Sequence, residues 1–163
     1  MSISSSRGHV AAGLLALIVL VACRPGQAQE LRLAISGYDP VAYFTEGRPV
    51  PGQSRFEYVW HDARWRFASQ PHLDAFSKEP YRYAPQYDGY CAFGVAVEKG
   101  HKDTVDPEAW AIVDGKLYLI YNKEGLALWQ KNAAEKIGRA DENWPEVKQQ
   151  TVMYDGYPNV QKQ

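Results

Sequence analysis

Residues 110–121 leave a chain like this one little choice. Trp110-Ala111-Ile112-Val113 and Lys116-Leu117-Tyr118-Leu119-Ile120-Tyr121 flank Asp114-Gly115. A two-residue type I′ turn needs positive φ at both central positions, which Asp-Gly accepts, so the segment predicts a β-hairpin. A second hairpin is expected upstream. Phe56, Tyr58 and Trp60 alternate with Glu57 and Val59, a strand with one aromatic face. His61-Asp62-Ala63-Arg64 is its expected turn, and Trp65 and Phe67 lie on the return strand.

Helices are expected around these hairpins. Ser69 is a good N-cap with Pro71 in the first turn behind it. Leu73 and Phe76 then face inward until Glu79-Pro80 ends the helix. Asn122 caps a further helix, in which Leu126, Trp129, Ala133 and Ile137 recur at helical spacing, and Trp144 and Pro145 end the packed region. Phe93, Val95 and Val97 alternate and read as a short strand. Residues 81–91 read as an aromatic loop and residues 100–107 as a polar one. The expectation is one α+β domain over residues 31–147, a small antiparallel sheet built from the two hairpins with two packed helices, followed by a polar tail over 148–163.

The N-terminus reads differently. Arg7 and His9 precede an uncharged run over residues 10–22, VAAGLLALIVLVA. A membrane-crossing helix needs about 20 apolar residues, so 13 are too few. A positive start, a short apolar core and small residues after it match a secretory signal peptide over residues 1–28. Leu20-Val21-Ala22-Cys23 resembles a lipobox, in which Cys23 is acylated and tethers the domain to a membrane. Gly26-Gln27-Ala28 suits an ordinary signal peptidase instead. The expected location is periplasmic or outer-membrane-associated.

Loss of residues 1–28 removes Arg7 and Arg24 and no acid, leaving 16 basic against 19 acidic residues, a net charge of −3. Nucleic-acid binding wants a basic face and is not expected. Cys91 is then the only thiol in an oxidising compartment. An odd cysteine there is an intermolecular bridge, hence a homodimer through Cys91, or a reactive thiol, or an inert buried one.

Several motifs together resemble the YHS-domain family, in its exported single-domain branch. They are Gly37-Tyr38-Asp39-Pro40-Val41-Ala42-Tyr43-Phe44, Trp65-Arg66-Phe67-Ala68-Ser69, residues 76–85, Tyr87-Asp88-Gly89-Tyr90-Cys91-Ala92, and Asp106-Pro107-Glu108-Ala109-Trp110 through Asn122. The resemblance covers roughly residues 35–147. It implies metal handling, since family members elsewhere are linked to metals through cysteines. Here the first of those positions is Ala42 and the second Ala68, and the third falls near His72, Leu73 or Asp74. The thiolate set that would hold copper or zinc is missing.

The remaining metal-ligating candidates are Cys91, His72 and His101, for copper or zinc, with His61 in the turn. Their spacing fits no compact metal signature. Tyr38, Tyr81, Tyr83, Tyr87 and Tyr90, with Trp60 and Trp65, suggest an aromatic groove for a small ligand, with Asp39 beside it. The same rings also suit the core of a small domain. A thiol enzyme would need Cys91 as thiolate, His101 or His72 as base, and Asp39 or Asp88 to orient it. The function expected is an exported, non-enzymatic YHS-type binding module that handles a metal ion. The alternatives are a module binding a small ligand or partner in the aromatic groove, and a thiol-dependent enzyme.

Overall fold

A computed structural model describes residues 31–151. The expected signal segment, Cys23 and the last twelve residues lie outside the described residues. The order is β1 (Arg32–Leu33), α1 (Ala42–Thr45), β2 (Gln53–Trp60), β3 (Ala63–Phe67), α2 (Gln70–Lys78), α3 (Pro80–Tyr83), α4 (Ala92–Ala96), β4 (Asp106–Val113), β5 (Lys116–Ile120), α5 (Lys123–Lys131) and α6 (Ala133–Val147). Short 3-10 turns cover Ala34–Gly37 and Tyr87–Gly89.

The fold class is α+β, as expected, but the strands form two sheets rather than one. β2 and β3 pair antiparallel, and β1 adds to β3 in parallel. β4 and β5 make a separate two-stranded ribbon. The first hairpin turns on His61 and Asp62 alone, both left-handed at φ 47° and 56°, so Ala63 and Arg64 belong to the strand. The second turns on Asp114 and Gly115, at φ 50° and 75°, as their chemistry dictates.

β5 explains how a chain this small supports two sheets. Leu117 and Leu119 pack into one apolar cluster with Trp65, Phe67, Phe76, Tyr43 and Ile35. Tyr118 and Ile120 pack into a second with Trp129, Val95, Cys91, Ala140 and Val147. Successive side chains on a strand point to opposite faces, so β5 is the wall shared by both clusters.

Three helical expectations change. Residues 92–96 are helical, not extended. The residues alternating with Phe93, Val95 and Val97, namely Ala92 before them and Gly94 and Ala96 between them, are buried and not polar, so the apparent alternation lacks a polar face. Cys91 caps α4 by accepting from Gly94 N at 3.4 Å. The single helix after Asn122 is two, because Asn132 leaves the helical region at φ −139° and ψ 51°. Pro145 does not end the packing, since α6 carries through it to buried Val147. In place of two helices, the described residues hold six helical segments, of which α2, α5 and α6 run nine residues or more. The caps hold as expected: Ser69 Oγ accepts from His72 N, and Asn122 Oδ1 from Gly125 N at 2.7 Å.

Candidate functional site

Two turns meet at the edge of the first sheet. The β2–β3 turn presents His61 and Asp62, and the 3-10 turn presents Tyr87 and Asp88. All four are left-handed, Tyr87 at φ 57° and Asp88 at 51°. This conformation costs a non-glycine residue about 1–2 kcal/mol, least for Asp and Asn and more for a bulky ring such as Tyr87. Such outliers gather where surrounding structure enforces them, often at functional sites. The two turns are joined by His61 Nδ1 and Asp88 Oδ1 at 2.8 Å.

An aromatic lobe opens on one side of that pair. The His61 ring stacks on Trp60 with centroids 3.7 Å apart and planes 9° apart. Tyr81 stands edge-on to both and is 77% exposed. With Pro85 and Trp144 these rings line a cavity of about 200 Å³. α3 supplies Tyr81 because Pro80 starts a helical turn there.

A basic lobe opens on the other side, about 230 Å³, lined by Arg32, Tyr90 and Lys102. His61, Asp88 and Lys148 border both lobes. β1 brings in Arg32, whose Nη2 donates to the Asp88 carbonyl at 2.7 Å and whose guanidinium lies 4.3 Å from the Tyr90 ring centre. Lys102 Nζ donates to the carbonyls of Lys148 and Gln150, at 2.9 and 2.5 Å. Lys148 Nζ is 3.7 Å from Asp88 Oδ2. Burial lowers the pKa of Arg32, against the opposing pull of Tyr90 and Asp88. Burial lowers that of Lys102 too; Asp88 opposes the shift, and Arg32 and Lys148 add to it.

The sequence candidates divide between this cleft and the interior. Tyr87 and Tyr90 reach it, though the Tyr87 hydroxyl turns inward to Asp141 Oδ1 at 2.9 Å. Trp65 is fully buried, its Nε1 donating to the Trp60 carbonyl at 2.9 Å, so it is a core ring and no wall of a groove. Tyr38 is half-buried and bridges to Pro51. Asp39 is a fully buried structural tie. Its Oδ1 accepts from Val41 N at 2.8 Å and Ala42 N at 3.4 Å, and its Oδ2 from Ala68 N at 2.8 Å and His72 Nδ1 at 2.6 Å. The other nitrogen of His72 is 3.5 Å from Thr45 Oγ1.

Cys91 is 2% exposed, and its Sγ accepts from Gly94 N and Tyr121 N. Burial pushes its thiol pKa up, against three backbone hydrogen bonds that pull it down. His101 Nε2 is 4.0 Å from Asp103 Oδ2, while His72 is bound to Asp39. Among the described residues no group of three or more His, Cys, Asp or Glu side chains is placed to hold a metal ion. The two acids considered as orienters for a thiol, Asp39 and Asp88, each bond a different histidine.

Sequence reading missed Arg32, Lys102 and Lys148, and placed His61 in the turn without its partner Asp88. Arg32 lies 56 positions from the carbonyl it bonds, and no local spacing signals such a pairing. No helix among the described residues is long and apolar enough to cross a membrane. In comparisons with known proteins, no family model, no curated protein and no solved structure matches the chain.

Proposed function

We propose that this chain is a non-enzymatic binding module, exported and of the YHS type, that takes a small ligand in the cleft around His61 and Asp88. The observation that carries this reading is the meeting of four left-handed non-glycine residues at one hydrogen-bonded pair, beside an exposed aromatic wall. A two-residue hairpin turn accounts for His61 and Asp62, but no hairpin imposes the left-handed Tyr87 and Asp88, whose strain suits a site shaped for an occupant. Tyr81 supports the same reading, because a large ring left 77% exposed over a cavity offers apolar area to a ligand. Family type and export rest on the motifs and the N-terminal run described above.

A copper or zinc role draws no such support. Cys91 is sealed in the second cluster, and His72 and His101 each face a different acid. A thiol enzyme is likewise disfavoured, since burial keeps the Cys91 thiol protonated.

Tryptophan fluorescence tests the proposal, because Trp60 and Trp144 both border the aromatic lobe. Titration of the full chain with benzamide, a neutral planar probe, is expected to give a saturable change that Tyr81→Ala weakens. A response that is linear in probe, or equal in Tyr81→Ala, would count against the cleft.

A further inference from the structure

We propose that the ligand of this cleft is a small organic anion, its carboxylate or phosphate held in the basic lobe by Arg32, Lys102 and Lys148 and its apolar body lying against Trp60 and Tyr81. This inference rests on the cleft reading above and assigns the ligand its charge and polarity.

The charge balance of the lobe carries it. The chain has a net charge of −1, so a concentration of cations at one point does not follow from composition. Arg32, Lys102 and Lys148 nonetheless converge there from β1, the loop before β4 and the end of α6. Asp88, with Asp62, offsets two of these three charges at most. Its Oδ1 is taken by His61, its Oδ2 faces Lys148, and its carbonyl oxygen alone meets Arg32. Lys102 finds only neutral carbonyls. Asp62 is the other acid lining the lobe, and it stands exposed in the turn.

Hydrogen-bonding capacity points the same way. A guanidinium has five N–H donors in a planar fork suited to two oxygens of one anion. Arg32 commits one to protein, the Nη2 bond to the Asp88 carbonyl, and its face to Tyr90. Lys102 commits two of its three donors to the backbone that follows α6. Arg32 and Lys102 are thus held in place by neutral carbonyls while donors remain for an occupant. Burial lowers the pKa of Lys102, with Asp88 opposing and Arg32 and Lys148 adding to the shift, and a bound anion would favour its charged form.

The two lobes together define the shape of the ligand. They share His61, Asp88 and Lys148, so an anionic head among the cations leaves its body toward Trp60 and Tyr81. A planar body with one carboxylate or phosphate group fits this arrangement, and a bare inorganic anion would use only half of it.

The test is a titration of the full chain with benzoate, phenyl phosphate, benzamide and inorganic phosphate, followed by backbone amide shifts. Benzoate or phenyl phosphate is expected to bind at least about tenfold more tightly than benzamide, the scale of a charge-assisted hydrogen bond. Comparison of the two separates a carboxylate head from a phosphate. Lys148→Gln, at an exposed position, is expected to weaken the anion by several-fold and benzamide by much less. Lys102→Met is expected to do so more strongly, with the spectrum of the free variant checking that the fold persists. Benzamide binding as tightly as benzoate would overturn the anion while sparing the cleft. Inorganic phosphate binding as tightly as phenyl phosphate would overturn the apolar body. Absence of shifts with all four probes would overturn both this inference and the cleft on which it rests.

Discussion

His61 Nδ1 and Asp88 Oδ1 stand 2.8 Å apart across 27 positions of sequence, and through them two strained turns hold each other in place. His61 and Asp62 take the conformation of a two-residue hairpin turn without the glycine that usually eases it, and Tyr87 and Asp88 are left-handed with no hairpin to impose it. The pair is only partly buried, so its worth lies in the hydrogen bond and the conformation it fixes more than in Coulomb energy.

His61→Ala and Asp88→Ala are therefore expected to be coupled. Side chains in direct contact show coupling energies of about 0.5–3 kcal/mol in a double-mutant cycle. Urea unfolding of the two single variants and the double variant measures it. Additive effects would mean that the two turns do not support one another.

Gly100→Ala tests the packing of α6. Gly100 is left-handed at φ 51°, and a Cβ there would fall 2.6 Å from Val147 Cγ2 and 2.8 Å from the Val95 carbonyl oxygen. The backbone oxygen cannot swing away as a side-chain tip can. A loss of at least about 2 kcal/mol is expected from strain and overpacking together. Denaturant midpoints check it, and an unchanged midpoint would place α6 differently.

Cys91 is expected to be inert in the folded chain. Its thiol is buried, caps α4 and resists ionisation. Iodoacetamide at mildly alkaline pH is expected to label it only after unfolding, since the thiolate is the reactive form. Rapid labelling of the native chain would revive the reactive-thiol alternative.

Stability is expected to fall in strong alkali. Burial raises the hydroxyl pKa of Tyr43, Tyr87 and Tyr118, the last to about 12, with nearby acids adding to the shift. In the unfolded chain these groups ionise near pH 10. A raised pKa in the folded state gives stability that is fully present below about pH 10 and is lost as the pH rises toward the folded values. The urea midpoint is expected to drop from about pH 10 toward about pH 12, and to drop less in Tyr87→Phe. A flat midpoint would contradict the burial of these hydroxyls.

Much of the fold was legible because its signals are local. Asp114-Gly115 announces its turn, and Ser69 and Asn122 announce their helices, since each acts on neighbours two or three residues away. α4 was not legible, because Ala92, Gly94 and Ala96 are small enough to be buried on every side and erase the periodicity. The break at Asn132 was not legible either, as neither glycine nor proline marks it. The aromatic half of the site was visible as a run of tyrosines, although Trp65 and most of Tyr87 turned inward. The basic half was invisible. Arg32, Lys102 and Lys148 read singly as solvated charges, and only the parallel pairing of β1 with β3 and the packing of α6 bring them to one cleft.

The most direct measurement of the central claim is the backbone amide spectrum of the full chain titrated with benzoate. Shifts confined to residues 32, 60–62, 81, 87–90, 102, 144 and 148, saturating together at one affinity, are the result the cleft predicts. Shifts scattered over the surface, or centred on Cys91 and His101, would contradict it.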